Sequence, residues 1–322
     1  MKYKYLYIFV GIIILLIILR FLYVFNSLEK EDKESLILML KYGKNLNVNN
    51  YAKLNSVKKY IKNIPYFLKD KKELMLAVEG IIYNYNSLKL ELKDSKLFWN
   101  DLFTKYNINR PVLVSYKYNG IIKSCSDYDL NDEFIMKPIL GMCGVGIRKI
   151  KGSEIEYELE INNDVIIQKR LVDCFIDYIR HFRFISLYNG KVFLLWEFYT
   201  DKSKNMSNIS QGGSAKLILY KNKFYHNNEI SNEETSLIND TMNKLLIVHK
   251  NEFPESFSIG WDIMISCEEN GNKKSVCLEG NFLPTIYFKT NNTKDEIIND
   301  IMVSYRNEYI QYKNKVIKPE LK

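Results

Sequence analysis

The sequence predicts an α+β fold, set behind an N-terminal transmembrane helix and a helical segment. Three observations carry this expectation. Tyr5 to Leu19 (YLYIFVGIIILLIIL) holds no charge and, with Arg20 and the following FLYVF, extends to Phe25. Apolar residues then recur at helical spacing as far as about Leu92. From about Asp94 the pattern changes to short apolar runs, several ended by Asn-Gly pairs, which read as strands and hairpins between helices.

The run from Tyr5 to Phe25 has about the ~20 residues a helix needs to cross a bilayer. Arg20 lies near one end, where its side chain can snorkel, and Tyr3, Tyr5, Tyr7 and Tyr23 suit the two interfaces. A cleaved signal peptide would carry a shorter apolar core ending in small residues, and this run ends in large ones. A retained single-pass anchor over residues 1–26 is the expectation. Flanking charges are nearly balanced, with Lys2 and Lys4 on one side and Arg20, Lys30 and Lys33 on the other. Residues 27–93 are expected to form a helical stalk, opening on the mixed-charge LEKEDKE and broken at Gly43 and Pro65.

Composition bounds the function. The chain has 322 residues, a net charge of +8 and 47% hydrophobic residues, enough for one large or two modest cores. Its basic residues are scattered, so no nucleic-acid stripe is indicated, and a favourable field for an anionic ligand is the milder inference. Cys125, Cys143, Cys174, Cys267 and Cys277 form an odd, widely spaced set without CxxC, and His181, His226 and His249 do not stand at zinc spacing to them. Reduced thiols, mostly buried, are expected rather than a disulfide framework or a zinc site.

The helix-like DSKLFWNDLFTKYNI leads into the strand and turn RPVLVSYKYNG. In DEFIMKPILGMCGVGIRKI a strand delivers Lys137 into a loop with Gly141, Gly144 and Gly146. Glycines allow close backbone approach, exposed N–H groups cradle phosphate oxygens, and a lysine supplies a point charge for them. The loop lacks the GK[ST] ending of a P-loop and no helix pattern follows it, so a plain hairpin turn is the alternative. DVIIQKRLVD reads as a buried strand running into a polar linker. HFRFISLYNGKVFLLWEFY reads as a strand pair turning at Asn189-Gly190. Alternation puts His181 and Arg183 on one face and Phe182 and Phe184 on the other. Arg183 thus leaves an apolar strand, as a ligand contact or as the partner of a buried carboxylate.

In SFSIGWDIMIS and SVCLEGNFLPT, apolar strands are interrupted by Asp262 and by Glu279 with Asn281. A two-residue turn at Asn270-Gly271 sets Asp262 opposite Glu279, and period 2 puts Asn281 on the Glu279 face. Opposed carboxylates repel. A cation between them removes that penalty, and oxygen-only ligands suit magnesium or manganese. The alternative is a solvent-facing acidic strand, which the neighbours Trp261, Ile263, Cys277 and Leu278 disfavour.

The order MKPILGMCGVG, IIQKRL, IGWDI and LEGN, with HFRFIS and the QGG loop, resembles the ATP-grasp enzymes. It looks closest to their sugar-transfer-associated group, which is related to glutamate-ligase-like enzymes. The match covers about Asp94 to Tyr312. The resemblance implies two α+β subdomains clasping ATP, over residues 94–172 and 173–322. It implies phosphate-binding lysines at Lys96 and Lys137 and a flap built on Gly141, Gly144 and Gly146. Gln168, Lys169, Arg170 and Leu171 would offer backbone groups to the adenine, with Gln168 replacing the glutamate common there. Asp173 or Asp177 would hold the ribose. Asp262, Glu279 and Asn281 would hold magnesium, and Arg183 would face the transferred phosphate. The implied activity is ATP-dependent ligation of a carboxylate to an amine through an acyl phosphate, on a small-molecule, peptide or glycan-linked substrate. The alternatives are a phosphotransferase or a non-catalytic nucleotide-binding membrane protein. Lys2 and Lys4 beside the span favour a cytoplasmic N-terminus and a catalytic part outside, whereas ATP and free thiols favour the cytosol, which is the expectation because the flanking charges nearly balance.

Overall fold

In a computed structural model of the chain, the described residues are 95–140, 145–172, 174, 178–201, 213–225, 230–254, 256–268, 270–282, 284, 286, 294–312 and 315, with isolated positions between 15 and 26. The anchor and stalk segments therefore lie essentially outside the described residues. So do Gly141, Gly144, Asp173 and Asp177. Among the described residues no helix is long and apolar enough to cross a membrane. The chain divides into two units, Met1–Asn86 and Ser87–Lys322, and all that follows concerns the second.

Helix α1 (Lys96–Lys105) starts where Ser95 accepts the Phe98 N–H on its hydroxyl at 3.1 Å. Strands β1 (Leu113–Tyr118), β2 (Ile121–Ser124), β3 (Glu133–Pro138), β4 (Arg148–Lys151) and β5 (Val165–Lys169) form an antiparallel sheet in the order β2-β1-β5-β3-β4. Helix α2 (Ile155–Ile161) closes its core, with Ile155 and Leu159 packed among Val114, Phe134, Met136, Val165 and Ile167.

The second sheet is built from β6 (Tyr178–Leu187), β7 (Val192–Asp201), β8 (Ser214–Tyr220), β9 (Lys223–Phe224), β10 (Ser258–Cys267) and β11 (Lys273–Asn281). It is also antiparallel, in the order β11-β10-β6-β7-β8-β9. Helix α3 (Asn232–Glu252) begins in a capping box of Ser231 and Glu234. It shares a core with α1 and with Phe182, Phe184, Trp261 and Cys277 of the sheet. Helix α4 (Asp295–Tyr312) packs Tyr305, Tyr309 and Tyr312 around Phe257. In sequence α1 precedes the first sheet, yet its Trp99, Leu102 and Phe103 are buried in the core of the second.

The hairpins use two turn designs. Asn119-Gly120 and Lys221-Asn222 are two-residue turns with both residues at positive φ. The pairs expected at Asn189-Gly190 and Asn270-Gly271 turn differently. In each, the glycine N–H closes a 2.9 Å bond to the carbonyl three residues back, from Gly190 to Leu187 and from Gly271 to Glu268. The strands then rejoin one residue wider, Leu187 with Lys191 and Glu268 with Asn272. Both glycines sit at positive φ, +74° and +81°, which makes them the left-handed residue of a three-residue loop. The asparagine has its own role: Asn270 Oδ1 accepts the Asn272 N–H at 2.9 Å.

A disulfide joins Cys174 to Cys267, which corrects the expectation that all the thiols are reduced. Two cysteines separated by 93 residues meet because the linker leaving β5 runs past the end of β10. There the Val172 carbonyl accepts the Cys267 N–H at 2.9 Å and the Ser266 hydroxyl at 3.1 Å.

Candidate active site

The acidic hairpin is the starting point. From the turn, Cys267 pairs with Lys273 and the ladder continues to Ile263 opposite Cys277. The register then shifts by one residue, and Asp262 pairs with Glu279, Trp261 with Gly280 and Gly260 with Asn281. Leu278 is the extra residue of this bulge. The expected Asp262–Glu279 opposition is present, but it arises from a wider turn corrected by a bulge rather than from a two-residue turn.

Alternation fixes which way the acids face. A Cβ on Gly280 would lie 2.6–2.7 Å from the Trp99 ring, so position 280 faces α1. Its neighbours Glu279 and Asn281 belong to the opposite face. Asp262 shares that face and pairs with Arg183 of β6 on its other side. The row Arg183–Asp262–Glu279 therefore crosses three adjacent strands.

Arg183 clasps Asp262 in a bidentate pair, with Nε–Oδ1 and Nη2–Oδ2 both at 2.7 Å. The sequence alternative for Arg183, a buried carboxylate partner, is thus what the structure places beside it, and that carboxylate is Asp262. Burial pushes the Asp262 carboxyl up, but the charge and hydrogen bonds of Arg183 outweigh it, with help from Lys137. The net effect holds it below the usual carboxylate range, ionised at neutral pH. The expected bare repulsion between the two acids is accordingly not what the structure shows: each has a cation of the chain beside it. For Glu279 it is Lys96, whose Nζ lies 3.7 Å from Oε2.

Two contacts bring the first sheet to this row. The Lys96 N–H bonds the Ile139 carbonyl just past β3 at 3.1 Å, tying the start of α1 to the strand that carries Lys137. Lys137 in turn lies within electrostatic reach of Glu279, Lys96 and Asp262. Burial lowers its pKa, Glu279 and Asp262 work against that, and Lys96 adds to it. Gly146, at φ +76°, lies so close to Pro138 that a Cβ would meet the ring at 2.8 Å. His181 stacks flat on Phe198 at 4.7 Å, and burial lowers its pKa to about 4, so it is neutral at physiological pH.

The strand–linker junction is ordered by its own contacts. Gln168 is buried between Leu113 and Ile135. The Lys169 N–H is donated to the Val112 carbonyl at 2.8 Å, so it is already used within the sheet. Arg170 pairs with Glu133, and Leu171 follows it into the linker that the disulfide holds.

A buried ion cluster that the sequence reading missed lies beneath this face. Arg180 pairs with Glu234 at 2.6 Å and Glu197 at 3.5 Å, and Lys216 lies 2.9 Å from Glu197. Its signal was Glu197 within the apolar run FLLWEFY. The cluster ties the capping box of α3 to β6, β7 and β8.

The donor set at the acidic row is two carboxylates and an amide, all oxygen ligands, with one carboxylate held ionised. That chemistry fits magnesium or manganese. No group of three His, Cys, Asp or Glu suited to a metal occurs among the described residues, so Asn281 or ligand oxygens would complete the shell.

No family model and no curated protein matches the chain. Solved structures similar to it include a D-alanine–D-alanine ligase from Bacillus anthracis complexed with ATP, at 16% identity over 70% of this chain and 67% of that one, TM-score 0.43. A D-cycloserine synthetase, DcsG, matches at 12% identity over 72% and 78%, TM-score 0.41. An L-amino acid ligase from Bacillus licheniformis matches at 12% identity over 60% of this chain, TM-score 0.39, and the chain spans 41% of its length. Likenesses of this degree leave function to be argued from the residues of this chain.

Proposed function

We propose that the chain is an ATP- and magnesium-dependent ligase of ATP-grasp type, which activates a carboxylate as an acyl phosphate and passes it to an amine. The observation that carries this is the meeting of Lys96, Lys137 and Arg183 with the paired Asp262 and Glu279 where the two sheets approach. Three cations and two anions leave one positive charge for an anionic ligand, and a divalent metal would raise it further.

In this mechanism Lys96 and Lys137 take phosphate oxygens of ATP, and the loop of Gly141, Gly144 and Gly146 covers them. Gln168, Lys169, Arg170 and Leu171 border the adenine, and Asp173 or Asp177 takes the ribose. Asp262, Glu279 and Asn281 would hold magnesium. A magnesium ion held there would supply positive charge to offset that of the phosphate oxygens. The substrate carboxylate attacks the γ-phosphorus, the bond to the bridging oxygen breaks, and ADP leaves. An amine then attacks the acyl carbon and expels phosphate. Exclusion of water matters because acyl phosphates hydrolyse, and a covering loop supplies it. Lys137 is partly buried, and the reduced solvation that lowers its pKa strengthens its contact with an anion.

The same proposal takes residues 1–26 as a membrane anchor and residues 27–93 as a stalk. It places the catalytic part on the cytosolic side, where ATP is supplied. The acceptor is a small molecule, a peptide or a glycan-linked group. The test is ADP and phosphate release from magnesium-ATP by the purified protein across panels of carboxylates and amines. Release that requires both partners and yields an amide supports ligation. ADP release with a phosphorylated product and no amide would make the protein a phosphotransferase.

A further inference from the structure

We infer that Arg183 is a cation latch on Asp262, holding the metal position closed until a divalent ion displaces it and frees the guanidinium for the phosphate. This rests on the ligase reading above.

The geometry is the starting point. Arg183, Asp262 and Glu279 occupy one row across β6, β10 and β11. The two guanidinium bonds, each 2.7 Å, engage both Asp262 oxygens. Arg183 and Asp262 keep only 16% and 9% of their side-chain surface exposed, so water cannot easily replace either partner. A buried carboxylate needs a cation beside it, and either guanidinium or metal can serve.

Both together are disfavoured. A carboxylate keeps lone pairs after accepting two N–H bonds, so coordination is not sterically forbidden. A divalent ion shared by Asp262 and Glu279 would, however, sit beside a fixed guanidinium in a poorly solvated place, where like charges repel strongly. Loss of the guanidinium from Asp262 is the simplest relief. The Arg183 guanidinium carbon already lies 5.6 Å from the centre of the Phe198 ring, on which His181 also stacks. A small turn away from Asp262 keeps that contact while the donors meet an anion. Metal entry and delivery of Arg183 to the phosphate thus become one exchange. Nucleotide without metal meets an arginine still held by Asp262.

The test is manganese binding to the full-length protein without nucleotide, read from the free-ion paramagnetic resonance signal. Arg183→Gln removes the competitor, so affinity should rise about 10- to 100-fold, the worth of one charged hydrogen bond. The same variant should lose most of any preference for ATP over ADP in nucleotide binding. Arg183→Lys, which cannot form the two-pronged contact, should raise manganese affinity by a smaller factor, and it carries the test if the glutamine variant fails to fold. Unchanged or weaker manganese binding in these variants, with wild type still binding manganese-ATP, would overturn the latch and leave the ligase reading standing. Absence of saturable manganese binding in wild type even with ATP would remove both.

Discussion

Replacing Gly280 by alanine tests the packing that aims the acidic hairpin. The added Cβ would lie 2.6, 2.7 and 2.7 Å from three atoms of the Trp99 ring. Carbon atoms in contact prefer about 3.5–4.0 Å, so one side must move by about 1 Å. Trp99 has little room to retreat, because its ring is bounded by Phe98, Phe103, Phe253, Trp261 and Phe282. Overpacking of this kind costs about 1–3 kcal/mol. In a domain of this size that is roughly 2–4 °C of melting temperature per kcal/mol, or about 2–12 °C in all. Trp99→Phe alone should also destabilise, by about 1–2 kcal/mol of lost ring contact. The double variant should cost less than the two combined, by ~0.5 kcal/mol or more, since the smaller ring makes room for the methyl. Denaturant unfolding of the four proteins reads this cycle. Strict additivity, or a Gly280→Ala cost within about 0.5 kcal/mol of zero, would refute the packing and with it the orientation of Glu279 and Asn281.

Other outcomes follow from the same structure. Lys137→Met should leave the ligand-free protein as stable as wild type or slightly more so, since burial disfavours that ammonium, while weakening ATP affinity measured by calorimetry; unchanged affinity would exclude Lys137 from the phosphates. Burial lowers the His249 pKa from 6.5 to about 4, where Ser186 and the Ser256 carbonyl hold its neutral ring. The unfolded chain therefore binds the extra proton first, so stability is full above pH 6.5 and falls between there and about pH 4. The slope from this group is about 1.4 kcal/mol per pH unit, and His249→Gln should flatten it in denaturant titrations at stepped pH. Cys174→Ser, which opens the bridge to Cys267 across 93 residues, should lower stability by up to about 4–5 kcal/mol in oxidised protein and by far less under reductant. Thiol trapping in whole cells then reports the compartment, because an oxidised pair would argue against the cytosol.

How much of this the sequence disclosed differs from one element to the next. Asp262 opposite Glu279 was legible, though through a turn that is not there. An Asn-Gly pair specifies a left-handed glycine but leaves open whether the loop has two residues or three. The β-bulge at Leu278 compensates for the wider loop, and no local pattern marks a bulge of this kind. The helix at Lys96 was legible because its cap and apolar spacing are local. Its packing against the second sheet was not, since that depends on Trp99 finding Gly280, a strand position without a side chain. For Arg183 the sequence offered two partners, phosphate or carboxylate. Register decided which one it holds here, because only pairing β6 with β10 brings Asp262 beside it. The Cys174–Cys267 bond was invisible for a similar reason: the linker path that joins them follows from two sheets meeting, not from cysteine spacing. Glu197 stood in plain view within an apolar strand, and its buried partners Arg180 and Lys216 come from the neighbouring strands.

The most direct test of the magnesium-ATP site is the thermal melt of wild type and Glu279→Gln, each with and without magnesium-ATP. Glu279 lies 3.7 Å from Lys96 and a third of its side chain is exposed, so losing its charge should change the ligand-free protein by no more than about 1 kcal/mol. Saturation at about 100 times Kd stabilises wild type by about 2.7 kcal/mol. That is a rise of about 5–11 °C in a domain of this size. The account predicts that Glu279→Gln keeps the ligand-free melting temperature and loses most of this rise. Equal rises in the two proteins, or none in wild type, would contradict it.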